Sequence, residues 1–215
     1  MEWIKKIDTD LKIQTPNFLP MLIKPKPWSN PYDGGYYNEN IKFNLFKSNN
    51  KEIAGKHQDM TRVYDVANIQ GNVSMCVNKY ILEQVLHAYD NNLEIGCLLP
   101  REGYAVPPYP KHLEENDPLV IKWRIDCKRI IDKNNYTKGS RIGIAKTIWM
   151  AKKYKDEPNL YFPKQLDFRG RVYDRVPFLN SQGNDISRAL LQFTNGKIIK
   201  TEEDLNWLKI HGANM

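Results

Sequence analysis

The fold class follows first from DPLVIKWRIDCKRIIDKNNYTKGSRIGIAKTIWMAKKYK (residues 117–155), where apolar side chains recur with a helical period. A helix is predicted to begin at Asp117, which can accept backbone N–H bonds as an N-cap, with Pro118 at the first helical position. Its apolar face contains Leu119, Val120, Trp123, Cys127, Ile130 and Ile131. Because Gly139 and Gly143 interrupt the pattern, we expect a separate helix from about residue 140, with Ile142, Ala145, Ile148 and Trp149 inward.

A second helical pattern lies upstream, between Asn78 and Asn91. Its apolar stripe contains Val77, Ile81, Leu82, Val85, Leu86 and Tyr89. The segment before it is different, because five prolines fall between residues 16 and 31 and exclude a helix there. Aromatic side chains are interleaved with these turn-forming residues and are costly to leave in water. We therefore expect an ordered, packed loop that buries Trp28, Tyr32, Tyr36 and Tyr37.

The last sixty residues combine short strands with short helices. Strands are predicted at 159–163 and 169–176, where β-formers alternate with polar residues. Asn184 or Asp185 can cap a short helix, and Thr201 begins a capping box that opens another. The predicted fold class is therefore mainly α with a small antiparallel β element.

Composition excludes several classes of protein. The chain has 215 residues, a net charge of +7 and no apolar run of the roughly 18 residues that a membrane span needs. Its three cysteines and four histidines show no disulfide or metal-ligand spacing, so reduced, buried thiols and no metal site are expected. No P-loop, Gly-x-Ser-x-Gly elbow or paired acid/base carboxylates occur, and no catalytic residue is predicted.

Positive charge is concentrated on the predicted helices. Between residues 122 and 155 eleven Lys and Arg stand against two Asp, whereas residues 83–117 carry seven acids and two bases. A solvated helix face is the plain interpretation of such a run, and binding to a nucleic acid is the alternative. The candidate nucleic-acid-binding residues here are Lys122, Lys128, Arg129, Arg141 and Lys146.

A second candidate site is the arginine-rich segment LYFPKQLDFRGRVYDR (residues 160–175). Arg169, Arg171 and Arg175 alternate along the predicted strand, and guanidinium groups match two phosphate oxygens at once. Gly170 would let a ligand approach the backbone, beside the aromatic ring of Phe168. The alternative is a purely structural strand, whose arginines form ion pairs with Asp167 and Asp174.

The same segment carries a resemblance to a known family. The block from Asp167 to Tyr173 (DFRGRVY) is followed by NSQGND at 180–185 and WLKIHGAN at 207–214. These three blocks, in this order, closely resemble the single-subunit DNA-directed RNA polymerases of bacteriophages and mitochondria, and Asp-x-x-Gly-Arg is a signature of that family. Residues 25–36 and 63–78 also resemble family segments, whereas 94–116 resemble nothing recognised.

The resemblance implies a division of the chain and roles for its residues. Residues 1–77 would be a loop-rich remnant of the N-terminal domain, 78–157 a helical thumb-like region, and 158–215 the first strands of an α/β palm. Arg169 and Arg171 would reach the template or hybrid backbone, and Phe168 would stack near a template base. Asp167 and Gly170 belong to the same nucleic-acid-binding motif.

The resemblance also implies what this sequence lacks. Family members hold two Mg²⁺ ions with aspartates that follow the IHGAN block, and the sequence has no counterpart of the block carrying the first of them. We expect this chain to be inactive alone and to be a subunit of a split DNA-dependent RNA polymerase, a nucleotidyltransferase of transcription. A complementary chain would supply the fingers, the catalytic palm and the Mg²⁺ site, while this chain binds the DNA template and RNA–DNA hybrid.

One alternative to this expectation stays open. The chain would otherwise be a non-catalytic, nucleic-acid-binding remnant of a truncated polymerase gene, and a neighbouring reading frame with the missing aspartates would separate the two. The first ten residues resemble neither a signal peptide nor an Arg-rich transit peptide. We therefore expect a cytoplasmic protein of a phage-infected cell rather than a mitochondrial one.

Overall fold

The computed structural model of the chain describes residues 16–47 and 59–214. The expectations about the first ten residues, and the histidine at position 57, lie outside the described residues. The strands are β1 (Phe46–Lys47), β2 (Met75–Val77), β3 (Lys164–Asp167), β4 (Val172–Asp174) and β5 (Leu191–Phe193). The helices are α1 (Thr61–Gly71), α2 (Lys79–Asp90), α3 (Pro118–Tyr154), α4 (Asp185–Ala189) and α5 (Glu202–Ala213).

The strands form two small sheets. In the first, β3 pairs antiparallel with β4 and parallel with β1, so that Leu166 faces Val172 on one side and Phe46 on the other. In the second, β2 and β5 are antiparallel. The predicted class, mainly α with a small antiparallel β element, is confirmed. The parallel β1–β3 pair was not predicted, because its strands lie far apart in the sequence.

The larger hydrophobic core lies between α2, the C-terminal half of α3 and the segment from Leu160 to Leu191. Its fully buried members include Met150, Leu160, Leu179 and Leu190. A smaller cluster joins Trp28, Leu45, Ala67 and Leu166, and it fixes the N-terminal loop and α1 to β3. The larger core thus reaches Phe162, just before β3, and the smaller one includes Leu166 of β3 itself.

The predicted break near residue 140 is wrong, because α3 is a single helix of 37 residues. At 1.5 Å per residue it is about 55 Å long. Positions Gly139 and Gly143 face open space, and each costs about 1 kcal/mol relative to alanine. Burial of Ile144, Ile148 and Ala151 directly beyond them stabilises the helix through tertiary packing and outweighs that cost.

Helix starts agree with the sequence, whereas one strand is displaced. The side chains of Asp117 and Thr201 accept N-cap hydrogen bonds as predicted, and Asn184 rather than Asp185 caps its helix. Asn78, where the helical period begins, is also an N-cap. The first predicted strand, at 159–163, is wrong in position, because Leu160 and Tyr161 form only isolated bridges and the strand begins at Lys164. The second is shorter than predicted, and α1 and β2 were not predicted.

The proline-rich loop is only partly packed as expected. Trp28 is buried, and the Tyr36 hydroxyl donates to the Leu19 carbonyl at 2.7 Å. Tyr32 and Tyr37 are instead exposed. All three cysteines are free, as expected, but only Cys127 is buried. Within the described residues, none of the helices has the length and apolar character needed to cross a membrane.

Candidate nucleic-acid interface

The hairpin between β3 and β4 places the DFRGR segment at a tight turn. The Asp167 N–H donates to the Arg171 carbonyl at 3.0 Å, and the Gly170 N–H donates to the Asp167 carbonyl at 3.0 Å. The three-residue loop ends at Gly170, whose φ of +79° favours glycine. The space around Gly170 is open, so the turn itself explains the glycine without a close ligand.

A buried carboxylate organises this turn. The Asp167 Oδ1 accepts the N–H groups of Arg169 (2.9 Å) and Arg171 (3.0 Å). Its Oδ2 accepts from Nε and Nη2 of Arg171, both at 2.7 Å, and lies 3.3 Å from the Tyr173 hydroxyl. Burial raises the pKa of Asp167, but the hydrogen bonds and the charge of Arg171 outweigh it and lower this pKa to about 2.

The residues around Asp167 point outward, and Phe168, Arg169, Gly170 and Arg171 together are called the hairpin tip below. The Phe168 side chain is 72% exposed, with the Arg169 guanidinium 5.1 Å from its ring centroid. The Arg171 side chain is 60% exposed while its guanidinium is held by Asp167. The tip thus presents two guanidinium groups and one aromatic face to solvent, which suits phosphates and an unstacked base.

The structure separates the remaining charged residues of this segment. Asp174 forms an ion pair with Lys164, its cross-strand neighbour, so the structural alternative is right for Asp167 and wrong for Asp174. Arg175 does not join the tip, because its guanidinium lies 3.7 Å from the Phe18 ring centroid in the aromatic cluster. Burial there lowers the pKa of Arg175. The Lys164–Asp174 pair follows from the register of β3 and β4, which the sequence alone did not give.

The five candidate residues on α3 fall into two groups. Lys122, Lys128 and Arg129 are exposed, with Arg129 3.5 Å from Asp126. Arg141 instead donates to the Leu99 carbonyl at 2.6 Å, and the Lys146 ammonium lies 5.1 Å from the Phe178 ring centroid. Lys122 and Arg129 are seven residues apart and lie on about the same side of the helix, whereas Lys128 lies about 120° from Lys122 around the helix axis. Exposed positive charge from these candidates is therefore confined to the N-terminal half of the helix.

Residues 94–116, which resemble no recognised family segment, include a stretch that lies along α3. Residues 99–109 of this stretch are called the strap below. The Asn134 carboxamide accepts the Tyr104 N–H (2.8 Å) and donates to the Tyr104 carbonyl (2.9 Å). The Trp123 indole N–H donates to the Pro107 carbonyl at 3.0 Å. The strap therefore covers one side of the N-terminal half of α3 and leaves its other sides to solvent.

Comparison with known proteins places these features in a family. A family model described as DNA-directed RNA polymerase N-terminal matches residues 2–69. The chain is 32% identical over 217 residues to DNA-directed RNA polymerase 1, mitochondrial, of Arabidopsis thaliana, covering 99% of this chain and 22% of that protein. It is 31% identical to T7 RNA polymerase of Escherichia phage T7, covering 93% of this chain and 23% of that protein. The chain belongs to the single-subunit DNA-directed RNA polymerase family.

A fungal polymerase also matches, and in each relative the match covers only part of that protein's length. The mitochondrial DNA-directed RNA polymerase of Schizosaccharomyces pombe is 30% identical over 93% of this chain. The chain spans about a fifth of the length of the curated relatives it matches. Among residues 16–47 and 59–214, no three His, Cys, Asp or Glu side chains are arranged to hold a metal ion.

Proposed function

We propose that this chain binds the DNA template and RNA–DNA hybrid as part of a DNA-dependent RNA polymerase. A complementary chain supplies the fingers, the catalytic aspartates and the Mg²⁺ ions that those aspartates hold. The hairpin tip is the observation that carries this proposal. A buried carboxylate holds the Arg171 guanidinium at the same turn that exposes the Phe168 ring and the Arg169 guanidinium beside it. Family membership supports the assignment of the tip to nucleic acid rather than to another anion.

The chemistry of the tip and of α3 suits binding without sequence preference. Arg169 and Arg171 offer planar N–H groups to phosphate oxygens, and Phe168 offers a stacking face that accepts any base. Lys122, Lys128 and Arg129 add exposed positive charge on the N-terminal half of α3. Phosphate contacts of this kind release counterions, so the affinity falls as salt rises.

Binding to a labelled RNA–DNA hybrid, measured by fluorescence anisotropy, tests the proposal. The full chain should bind with a Kd that rises by more than about tenfold between about 50 and about 200 mM NaCl. Phe168→Ala should weaken binding by about fivefold or more. Phe193→Ala is the matched control, since Phe193 is also a largely exposed phenylalanine, 66% against 72%, but lies on β5. Equal losses in both variants would contradict the assignment of the tip.

The proposed dependence on a second chain has its own measurement. The purified chain should incorporate no nucleotide, with or without Mg²⁺, and should gain activity when a chain carrying the missing aspartates is added. Incorporation by the pure chain would contradict the proposal. Hybrid binding with no gain of activity from any complementary polypeptide would favour the second candidate, a non-catalytic remnant. We propose the cytoplasm of a phage-infected cell as its compartment, with mitochondria as the alternative.

A further inference from the structure

The outer edge of β4 is covered by a single side chain. One edge of β4 pairs with β3, and the other directs the Val172 carbonyl and the Asp174 N–H away from the sheet. The Gln182 carboxamide binds both groups. Its Oε1 accepts the Asp174 N–H at 2.9 Å, and its Nε2 donates to the Val172 carbonyl at 2.8 Å. Gln182 thus replaces the peptide group that a neighbouring strand would offer.

The loop that carries Gln182 is itself held against β4. The N–H and hydroxyl of Ser181 donate to Oδ2 of Asp174 at 3.0 and 2.6 Å. The Asn180 amide donates to the Val176 carbonyl at 2.9 Å, and its Oδ1 accepts the Gln182 N–H at 3.0 Å. These bonds fix the backbone from position 180 to position 182. The loop therefore holds the Gln182 carboxamide against the edge of β4.

The loop is also anchored at its start. Phe178 has a φ of +64°, and the Leu179 N–H donates to the Pro177 carbonyl at 2.8 Å. A left-handed φ is costly for a bulky side chain and persists only where the surroundings enforce it. The fully buried Ser187 hydroxyl lies 2.7 Å from the Phe178 carbonyl and accepts the Asn180 N–H at 2.9 Å. The core thus determines the course of the loop.

Val172 directly follows Arg171, so whatever fixes Val172 also limits the motion of the hairpin tip. We propose that Gln182 is a positioning residue for the tip, holding β4 so that the Arg171 guanidinium keeps its direction toward nucleic acid. This inference rests on the proposed function. Gln182 itself touches β4 and not the ligand, and it acts through Arg171 and Phe168.

Two variants of the full chain test the positioning role. Gln182→Met keeps the length of the side chain and removes both hydrogen bonds. Gln182→Glu keeps the acceptor for the Asp174 N–H and removes the donor to the Val172 carbonyl, so it gives the same test with less disturbance if the methionine variant folds poorly. Gln192→Met is the matched control, because Gln192 is exposed on β5 and its amide contacts only a sulfur at 3.5 Å.

Hydrogen exchange gives the first measurement and does not depend on nucleic acid. Gln182→Met should speed exchange of the Gly170 and Arg171 amides by about tenfold, while amides of the buried half of α3, such as Met150, keep their rates. Unchanged exchange at the tip would overturn the positioning role even if the wild-type chain binds hybrid. Equal acceleration at Met150 would also overturn it, because Gln182 would then support global stability only.

A double-mutant cycle on hybrid affinity gives the second measurement. Gln182→Met should weaken binding by about fivefold alone but by less than about twofold when Arg171 is already alanine. With Lys128→Ala the two losses should multiply, since Lys128 lies on a different element. Multiplying losses with Arg171→Ala would overturn the inference. A wild-type chain that does not bind hybrid overturns the proposed function instead, which the exchange experiment distinguishes from failure of the hairpin support.

Discussion

Under the proposed function, Arg171 has two roles that the sequence presents as alternatives, an ion pair with Asp167 and a contact to nucleic acid. Its guanidinium forms an ion pair with buried Asp167, yet most of its side chain remains exposed. The ion pair with Asp167 is local, four residues apart, and could be predicted from the sequence. The partner of Asp174 could not, because Lys164 is brought opposite to it only by the hairpin register. No local pattern in the sequence indicates the role of Gln182, because its amide reaches β4 only in the folded chain.

Substitution of Arg171 separates ligand binding from stability. Arg171→Ala should weaken hybrid binding by about tenfold or more, because a charge-assisted contact is lost. Arg171→Lys should restore binding only in part, since a point charge does not reproduce the planar fork. Asp174→Asn removes the charge that pairs with Lys164 but keeps an oxygen that can accept from Ser181, so it should lower the Tm while the Gln182 loop stays on β4. Thermal melts and hybrid affinity, measured on all three variants, check this. A loss of affinity that simply follows the loss of Tm would contradict a ligand contact by Arg171.

Asp167 makes stability depend on pH in the acid range. Its pKa in the folded chain is lowered to about 2, whereas an unfolded aspartate has a pKa near 3.8. Between these values the unfolded chain binds the proton and the folded chain does not, so the stabilisation present above pH 4 is lost as the pH falls toward 2. In Asp167→Asn this part of the acid dependence should vanish. Thermal melts from about pH 6 to about pH 2.5 should therefore converge for wild type and variant, whereas Glu83→Gln, on an exposed face of α2, should change nothing.

At the scale of elements, the sequence predicts features set by neighbouring residues, such as helix starts, but not features set by distant residues, such as strand pairing. Asn78, Asp117 and Thr201 begin helices because a cap needs only its own next three residues. The continuity of α3 and the β1–β3 pair depend on burial by residues that are distant in the sequence, and no local pattern reports them. The five candidate residues on α3 were chosen by charge alone, which does not show that Arg141 and Lys146 are used inside the protein.

The glycines of α3 should be replaceable with a gain in stability. Both Gly139 and Gly143 have helical neighbours and open space around the position of a β-carbon. Gly139→Ala and Gly143→Ala should each raise the free energy of unfolding by about 0.5 to 1 kcal/mol. Gly170→Ala is the contrasting variant, since its φ of +79° strains any side chain, and it should lower stability by about 1 kcal/mol. Chemical denaturation of the three variants checks both signs.

At the scale of the whole molecule, α5 stands out because it buries no residue against the rest of the described chain. None of its residues is buried, and Trp207, Leu208 and Ile210 are largely exposed. An exposed apolar patch of this kind marks an interaction surface. It is consistent with the proposal that a complementary polymerase chain packs against this end of the molecule.

Self-association of the isolated chain should therefore depend on α5. The chain alone should aggregate or form oligomers at micromolar concentration, and co-expression with the complementary chain should give a 1:1 complex. Trp207→Lys should reduce self-association and weaken that complex, as measured by light scattering and gel filtration. Tyr80→Lys changes an equally exposed aromatic residue on α2 and should do neither. A stable monomer with no affinity for the complementary chain would count against the split-subunit proposal.

Because α3 is continuous, a small bend at its two glycines would move the whole N-terminal half of the helix. Beyond Gly143 the helix is embedded in the main core, while the 21 residues from Pro118 to Lys138 have the strap along one side. This long arm measures about 30 Å. A bend of about 10° at the glycine pair, where helices deform most easily, would swing its far end by about 5 Å and carry Lys122 with it. A small bend at the two glycines would thus produce a large displacement of the positive charge near the N-terminus of α3.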